Sequence, residues 1–160
     1  MDYLNRVRQL PAAPRSHGNA ASIKSNLSLE QKQLTLNLMA YGTGRYARKK
    51  VFGRDQVMKK LELVEVHVRK FSLGGQRELV STTQPAEELR KLMLEIENVC
   101  EVTVDEDMIN MYGTLAGPCS ACIAEVGTFG PFLVWGLLTG LDTDGISTSM
   151  NITFHSAANL

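Results

Sequence analysis

Leu61-Glu62-Leu63-Val64-Glu65-Val66-His67-Val68-Arg69-Lys70-Phe71 is the stretch on which the fold turns. Leu61 and Leu63 point one way, and Val64, Val66 and Val68 resume the alternation one residue out of phase, as a strand with a bulge near Leu63 does. Gly74-Gly75 then turns the chain, and residues 76–82 return as a second strand, which makes a hairpin.

Downstream, Pro85 stands where a first helical residue tolerates proline, and Glu87 and Glu88 complement the positive end of a helix dipole. With Leu89, Leu92, Met93 and Ile96 as an apolar stripe, a helix is expected over 86–99. Cys100, Val102 and Val104 alternate with Glu101 and Thr103 as a strand, and Asp105-Glu106-Asp107 opens a short helix ended by Gly117-Pro118. The apolar run from Phe129 to Leu138 holds Gly130, Pro131 and Gly136, and reads as a buried helix with a close-packing glycine or as a core strand. Asp142-Thr143-Asp144-Gly145 is a turn. It launches Ile146, Thr148, Met150, Ile152 and Phe154 on one face and Ser147, Ser149, Asn151, Thr153 and His155 on the other, the clearest strand pattern in the chain.

Upstream, Ser28 and Gln31 form a capping box for a helix over 29–41, although Leu34, Leu36 and Leu38 also alternate with Thr35 and Asn37 as in a strand. Residues 11–28 are poor in large apolar groups and cannot offset their ordering entropy by burial. Residues 1–27 therefore read as a flexible arm, with a helical turn at 3–10 that orders on contact. The expected fold is α+β: a mainly antiparallel sheet with two to four packed helices, forming one domain over 28–160 behind the flexible basic arm.

The 160 residues carry no formal net charge, yet the charge is segregated. Up to position 60 there are 12 cationic and 3 acidic residues, a balance of +9, which leaves 5 against 14, or −9, in the remainder. Such asymmetry points to a polyanionic partner, nucleic acid or an anionic membrane. The cations concentrate in and beside a glycine- and aromatic-containing loop between positions 42 and 60: Arg45, Arg48, Lys49, Lys50, Arg54, Lys59 and Lys60. If five of them reached an anionic bilayer at ~1 kcal/mol each, the gain of about 5 kcal/mol would correspond to a dissociation constant near ~10⁻⁴ M. Stable attachment thus needs a second contribution, an inserted apolar group such as Phe52 or self-association. For nucleic acid, the same cations supply sequence-neutral affinity while Tyr41, Tyr46 and Phe52 stack on exposed bases.

The start, Met-Asp-Tyr-Leu-Asn-Arg, shows neither a secretory signal nor a myristoylation site, and the end, Ser-Ala-Ala-Asn-Leu, has no prenylation cysteine. The apolar run at 132–138, even extended to Leu141, falls short of the ~20 residues that cross a bilayer. The expectation is a protein that is not secreted, stays in a reducing compartment and has no transmembrane span.

Cys119-Ser120-Ala121-Cys122 has the spacing that lowers a thiol pKa at a helix N-terminus and lets a second thiol resolve a mixed disulfide. Only 38 residues follow it, too few for the α/β body such a site normally needs. Cys100 and His155 are the arithmetic partners for a zinc site with that pair, but they lack tight spacing. Gly42-Thr43-Gly44 is not followed by a phosphate-loop lysine, and Asn151 stands where a calcium loop needs Glu. No catalytic residue, metal, cofactor or small-molecule substrate is expected.

A flexible arm, a strand at Leu61 to Phe71, a helix at 86–99 and the glycine-punctuated apolar segment 126–138 together resemble the core of rhabdovirus matrix proteins, the small ones of plant-infecting members above all. The likeness covers 57–140 as an order of elements. The budding motif Pro-Pro-x-Tyr is absent, and Pro11-Ala12-Ala13-Pro14 only approximates a related one. The resemblance implies a non-enzymatic structural protein of the virion and of the host cytoplasm at the inner membrane face. It implies binding to anionic membrane, condensation of the nucleocapsid or RNA, and self-association through the arm, here Tyr3, Leu4, Arg6, Arg8 and Leu10.

Overall fold

The computed structural model describes residues 3–44, 52–72, 74–156 and 158. The fold is α+β, and the described residues form four α-helices and one four-stranded, mostly antiparallel sheet. The helices are α1 (Tyr3–Arg8), α2 (Leu29–Gly42), α3 (Ala86–Leu89) and α4 (Gly117–Thr139). The strands are β1 (Lys24–Ser25), β2 (Leu61–Phe71), β3 (Arg77–Leu79) and β4 (Leu94–Val102).

β2 is the central strand. β4 pairs antiparallel along it from Leu61 opposite Val102 to Lys70 opposite Leu94, with the register slipping between Leu63 and Glu65. That bulge lets Leu61 and Leu63 share the buried face with Val66 and Val68 despite their odd and even numbers. β3 pairs antiparallel with the last turn of β2, opposite Arg69 to Phe71, and β1 runs parallel to it at Glu65 and Val66. α2 and α4 pack on the buried face, where Leu36, Leu38, Met39, Leu133, Val134, Leu137 and Leu138 close the core.

α2 begins at the capping box: Gln31 N–H donates to Ser28 Oγ at 3.2 Å, and Ser28 N–H donates to Gln31 Oε1 at 2.8 Å. Positions 35–40 of this helix are all buried, so it has no solvent face there to impose a period on the sequence.

Residues 1–27 were expected as a flexible arm; where described, they instead line the core. Tyr3, Val7, His17, Ala20, Ile23 and Leu27 are buried. Asparagine side chains stitch the segment down. Asn26 Nδ2 donates to the carbonyls of Val68 and Val80 at 2.8 Å each, its Oδ1 accepts the Val68 N–H at 2.9 Å, and Asn37 Oδ1 accepts the Ala13 N–H at 2.8 Å. A segment too short of large apolar groups is ordered because these bonds satisfy its backbone and that of the sheet together.

Three further expectations are corrected. The helix expected over 86–99 stops at Leu89, and Leu94 onward belongs to β4, because Leu94, Ile96, Asn98 and Cys100 alternate with Glu95, Glu97, Val99 and Glu101 and the long ladder with β2 outweighs the helical stripe. Gly117-Pro118 does not end a helix but opens α4, with proline in the first turn where a missing N–H costs nothing; the helix expected from Asp105 is one 3₁₀ turn, Glu106–Met108. Residues 146–154 do not form a strand: they carry no regular structure, are largely exposed and have no ladder partner among the described residues.

Candidate membrane and assembly surface

Of the cations assigned to polyanion binding, Arg45, Arg48, Lys49 and Lys50 lie outside the described residues, as does Tyr46. The other three are engaged within the molecule. Arg54 Nη1 donates to the Gly44 carbonyl at 3.4 Å and its Nε lies 3.6 Å from Asp55; Lys59 pairs with Asp55 and Lys60 with Asp105. The Lys59 ammonium holds the Asp55 carboxyl, and the Lys60 ammonium the Asp105 carboxyl, below the ordinary range. These three side chains tie residues 54–60 to Gly44 and Asp105.

The residues assigned to arm-mediated assembly also act internally. Tyr3 is buried, its hydroxyl 3.1 Å from Thr143 Oγ1, and Leu4 and Leu10 pack at the margin of the core. Burial raises the Tyr3 pKa. Arg6 bonds Asp142 and Asp144 at 2.9 Å each, and Arg8 bonds Glu30 at 3.1 Å. The first helix thus ties down the segment that leaves α4.

Exposed aromatic groups stand elsewhere. Phe52 is 82% exposed and Tyr41 57%, on either side in sequence of the cationic stretch. On α4, Glu125, Thr128, Phe132 and Trp135 are the exposed positions of its middle and second half, spaced three and four apart so that they share one face. Phe132 is 59% and Trp135 37% exposed, and the ring of Phe129 lies 6.5 Å from that of Phe132. Phe52 lines a cleft with Ala121, Glu125 and residues 147–150, near the N-terminal half of the same helix. Sequence reasoning placed 132–138 wholly inside; the three-and-four spacing from Glu125 through Trp135 was the sign of an outward stripe.

The expectation that no segment is long enough to span a bilayer is corrected on one point. α4 begins 15 residues before Phe132, carries Glu125 as its one charge, and over 23 residues is long and apolar enough to cross a membrane by length and composition. Of its most apolar eighteen-residue window, 39% is buried inside the fold.

The Cys119/Cys122 pair sits on the first turns of α4 beside a small second core of Val57, Met108 and Leu115. Burial, with Glu125 and Cys119 nearby, raises the Cys122 thiol pKa; burial raises that of Cys100 as well. Both shifts oppose thiolate formation. Gly53 takes φ +69° against Cys122, where a Cβ would lie 2.6 Å from Sγ, so the loop base packs tightly on this thiol. Among the described residues no three His, Cys, Asp or Glu side chains gather as a metal site.

The fold and these surfaces define an α+β protein with a bulged central strand, backed by one long apolar helix that shows aromatic rings on its open face. No protein-family model, curated protein or solved structure matches the chain.

Proposed function

We propose that this chain is a non-enzymatic structural protein of the viral-matrix kind, which attaches peripherally to anionic membrane, self-associates there and condenses a ribonucleoprotein. The observation that carries the reading is the exposed aromatic stripe of α4, Phe132 and Trp135, with Phe52 exposed at a cleft near the same helix and close in sequence to the cationic stretch. It supplies the apolar insertion that charge alone lacks. The four cations of 45–50 contribute about 4 kcal/mol at an anionic surface. Seating three aromatic rings at the interface adds about 4 kcal/mol more, for a dissociation constant near ~10⁻⁶ M. Charge and insertion are both required, since either alone leaves binding near the millimolar range.

Flotation with vesicles containing phosphatidylserine tests this. Wild-type protein floats; the triple charge reversal of Arg48, Lys49 and Lys50 to Glu, and the double variant Phe132→Ser/Trp135→Ser, each stay at the bottom with unchanged melting. Flotation equal to wild type in both variants overturns the reading.

A second reading is favoured by Tyr41 and Phe52, which stand exposed on either side of the cationic stretch as stacking platforms for single-stranded nucleic acid. It requires oligonucleotide binding that weakens steeply with salt and is lost in Tyr41→Ala/Phe52→Ala. Salt-independent binding discards it.

A further inference from the structure

Residues 146–154 carry the clearest strand pattern in the chain, yet pair with no strand among the described residues. Residues 144–151 are exposed throughout, with Ile146 90%, Met150 45% and Phe154 60% exposed. Among the described residues, 146–156 make no backbone hydrogen bond. Its hydrogen bonds lie at its ends, Thr143 and the Arg6 pairs to Asp142 and Asp144 on one side and the Leu115 N–H on the Ala158 carbonyl, at 3.0 Å, on the other, while 146–150 only flank clefts beside α4. A segment that alternates with Thr148 as the one polar residue on its apolar face, yet has no ladder among the described residues, lacks the partner its pattern fits.

The same molecule displays a complementary acceptor. β4 pairs with β2 alone, so its outer edge of nine residues is open among the described residues. An open edge of that length is a template for strand addition. Beside it runs an open groove of about 630 Å³, whose apolar side is made by Ile96, Cys100, Ile123, Ala124, Gly127 and Pro131 and whose polar side includes Arg69, Arg77, Glu95, Glu97, Asn98 and Thr128. Small residues on α4 leave the space there that side chains of an added strand would occupy. The chain's own 146–150 flanks α4 elsewhere, against Pro118, Ala121, Cys122 and Glu125.

We propose that residues 146–154 of one copy add as a fifth strand to the open edge of β4 in a second copy. This rests on the self-association in the proposed function and names its device. The lengths match at nine residues each. Ile146, Thr148, Met150, Ile152 and Phe154 turn toward the groove under α4, while Ser147, Ser149, Asn151 and Thr153 lie on the face of Glu97 and Glu101 and donate to their carboxylates. The donor segment carries no charge, so it brings no like charge to that acidic edge. Because each copy has one donor and one acceptor, the contact closes as a reciprocal dimer or propagates as a chain of subunits.

Sedimentation velocity across a concentration series, with hydrogen exchange on the same lipid-free samples, tests it using the full chain. Wild-type protein assembles, and the amides of 94–102 and 146–154 gain protection together as concentration rises. Ser149→Pro/Met150→Pro alters exposed positions, so melting is unchanged, while removal of ladder bonds raises the dissociation constant at least about tenfold. A synthetic peptide of residues 146–154 competes with wild-type assembly. A chain that is monomeric throughout, a double proline variant that assembles like wild type, or 94–102 amides that stay open in the oligomer each overturns the proposal. Protein that assembles this way but ignores vesicles overturns the membrane reading and leaves this one standing, and floating protein with an open β4 edge does the reverse.

Discussion

Pro131 sits inside α4 and has no N–H to give to the carbonyl of Gly127, four residues earlier. Asn98 of β4 supplies the missing donor: its Nδ2 lies 3.1 Å from Gly127 O and 3.3 Å from Cys100 Sγ. Gly130 makes the approach possible, since a Cβ there would stand 3.0 Å from the same amide nitrogen. Replacing Asn98 with Leu removes the donor and leaves a half-buried carbonyl unsatisfied, at a cost of about 1 to 3 kcal/mol. Water entering the adjoining groove offsets part, so the expected loss is about 1.5 kcal/mol. In a Pro131→Ala background the helix regains its own N–H donor, and Asn98→Leu then costs less than about 0.5 kcal/mol. Urea denaturation of the four proteins measures the coupling, expected near 1 kcal/mol with unchanged m-values. Equal costs of Asn98→Leu in both backgrounds would refute the idea that this side chain repairs the proline break.

Gly136→Ala places a Cβ 2.5 Å from Thr143 Oγ1 and 3.0 Å from Leu141 O; despite better helix propensity it is expected to destabilise by about 1 kcal/mol and to speed amide exchange at 141–145, which a thermal melt and exchange mass spectrometry check. Asp142 is held below the ordinary carboxylate range by the Asp144 N–H and then by Arg6, so the stability it contributes is full above about pH 4 and is lost as pH falls through its depressed value. An acid titration of fluorescence should therefore show the 141–145 tether loosening first, with Asp142→Asn abolishing that early step. Cys100 and Cys122, both raised by burial, should alkylate slowly at pH 7 and faster only as pH passes their raised values; rapid labelling of Cys122 at pH 7 would return thiol chemistry to consideration.

The central hairpin was legible in the sequence down to its bulge, because a strand with one buried face writes its register directly into its residues. The α2 capping box was legible too, although six successive buried positions erased the helical period behind it. Residues 94–99 misled because Leu89, Leu92, Met93 and Ile96 satisfy a helical stripe while Leu94, Ile96 and Asn98 satisfy a strand, and only pairing with β2 decides between them. The N-terminal segment was opaque for another reason: its order comes from Asn26 and Asn37, whose bonds to distant backbone leave no local pattern. The candidate surface was half visible. Phe52 was picked out by its cationic neighbours, whereas Phe132 and Trp135 lay within an apolar run whose exposed side depends on how α4 sits against the sheet.

Trp135 is the only tryptophan of the chain and stands 37% exposed on the face assigned to the membrane, so its emission reports on that face alone. Titrating the 160-residue chain with phosphatidylserine-containing vesicles should move the emission to shorter wavelength and make it quenchable by brominated acyl chains, with both effects weakened by high salt. Emission unchanged by vesicles at every lipid concentration would contradict the account.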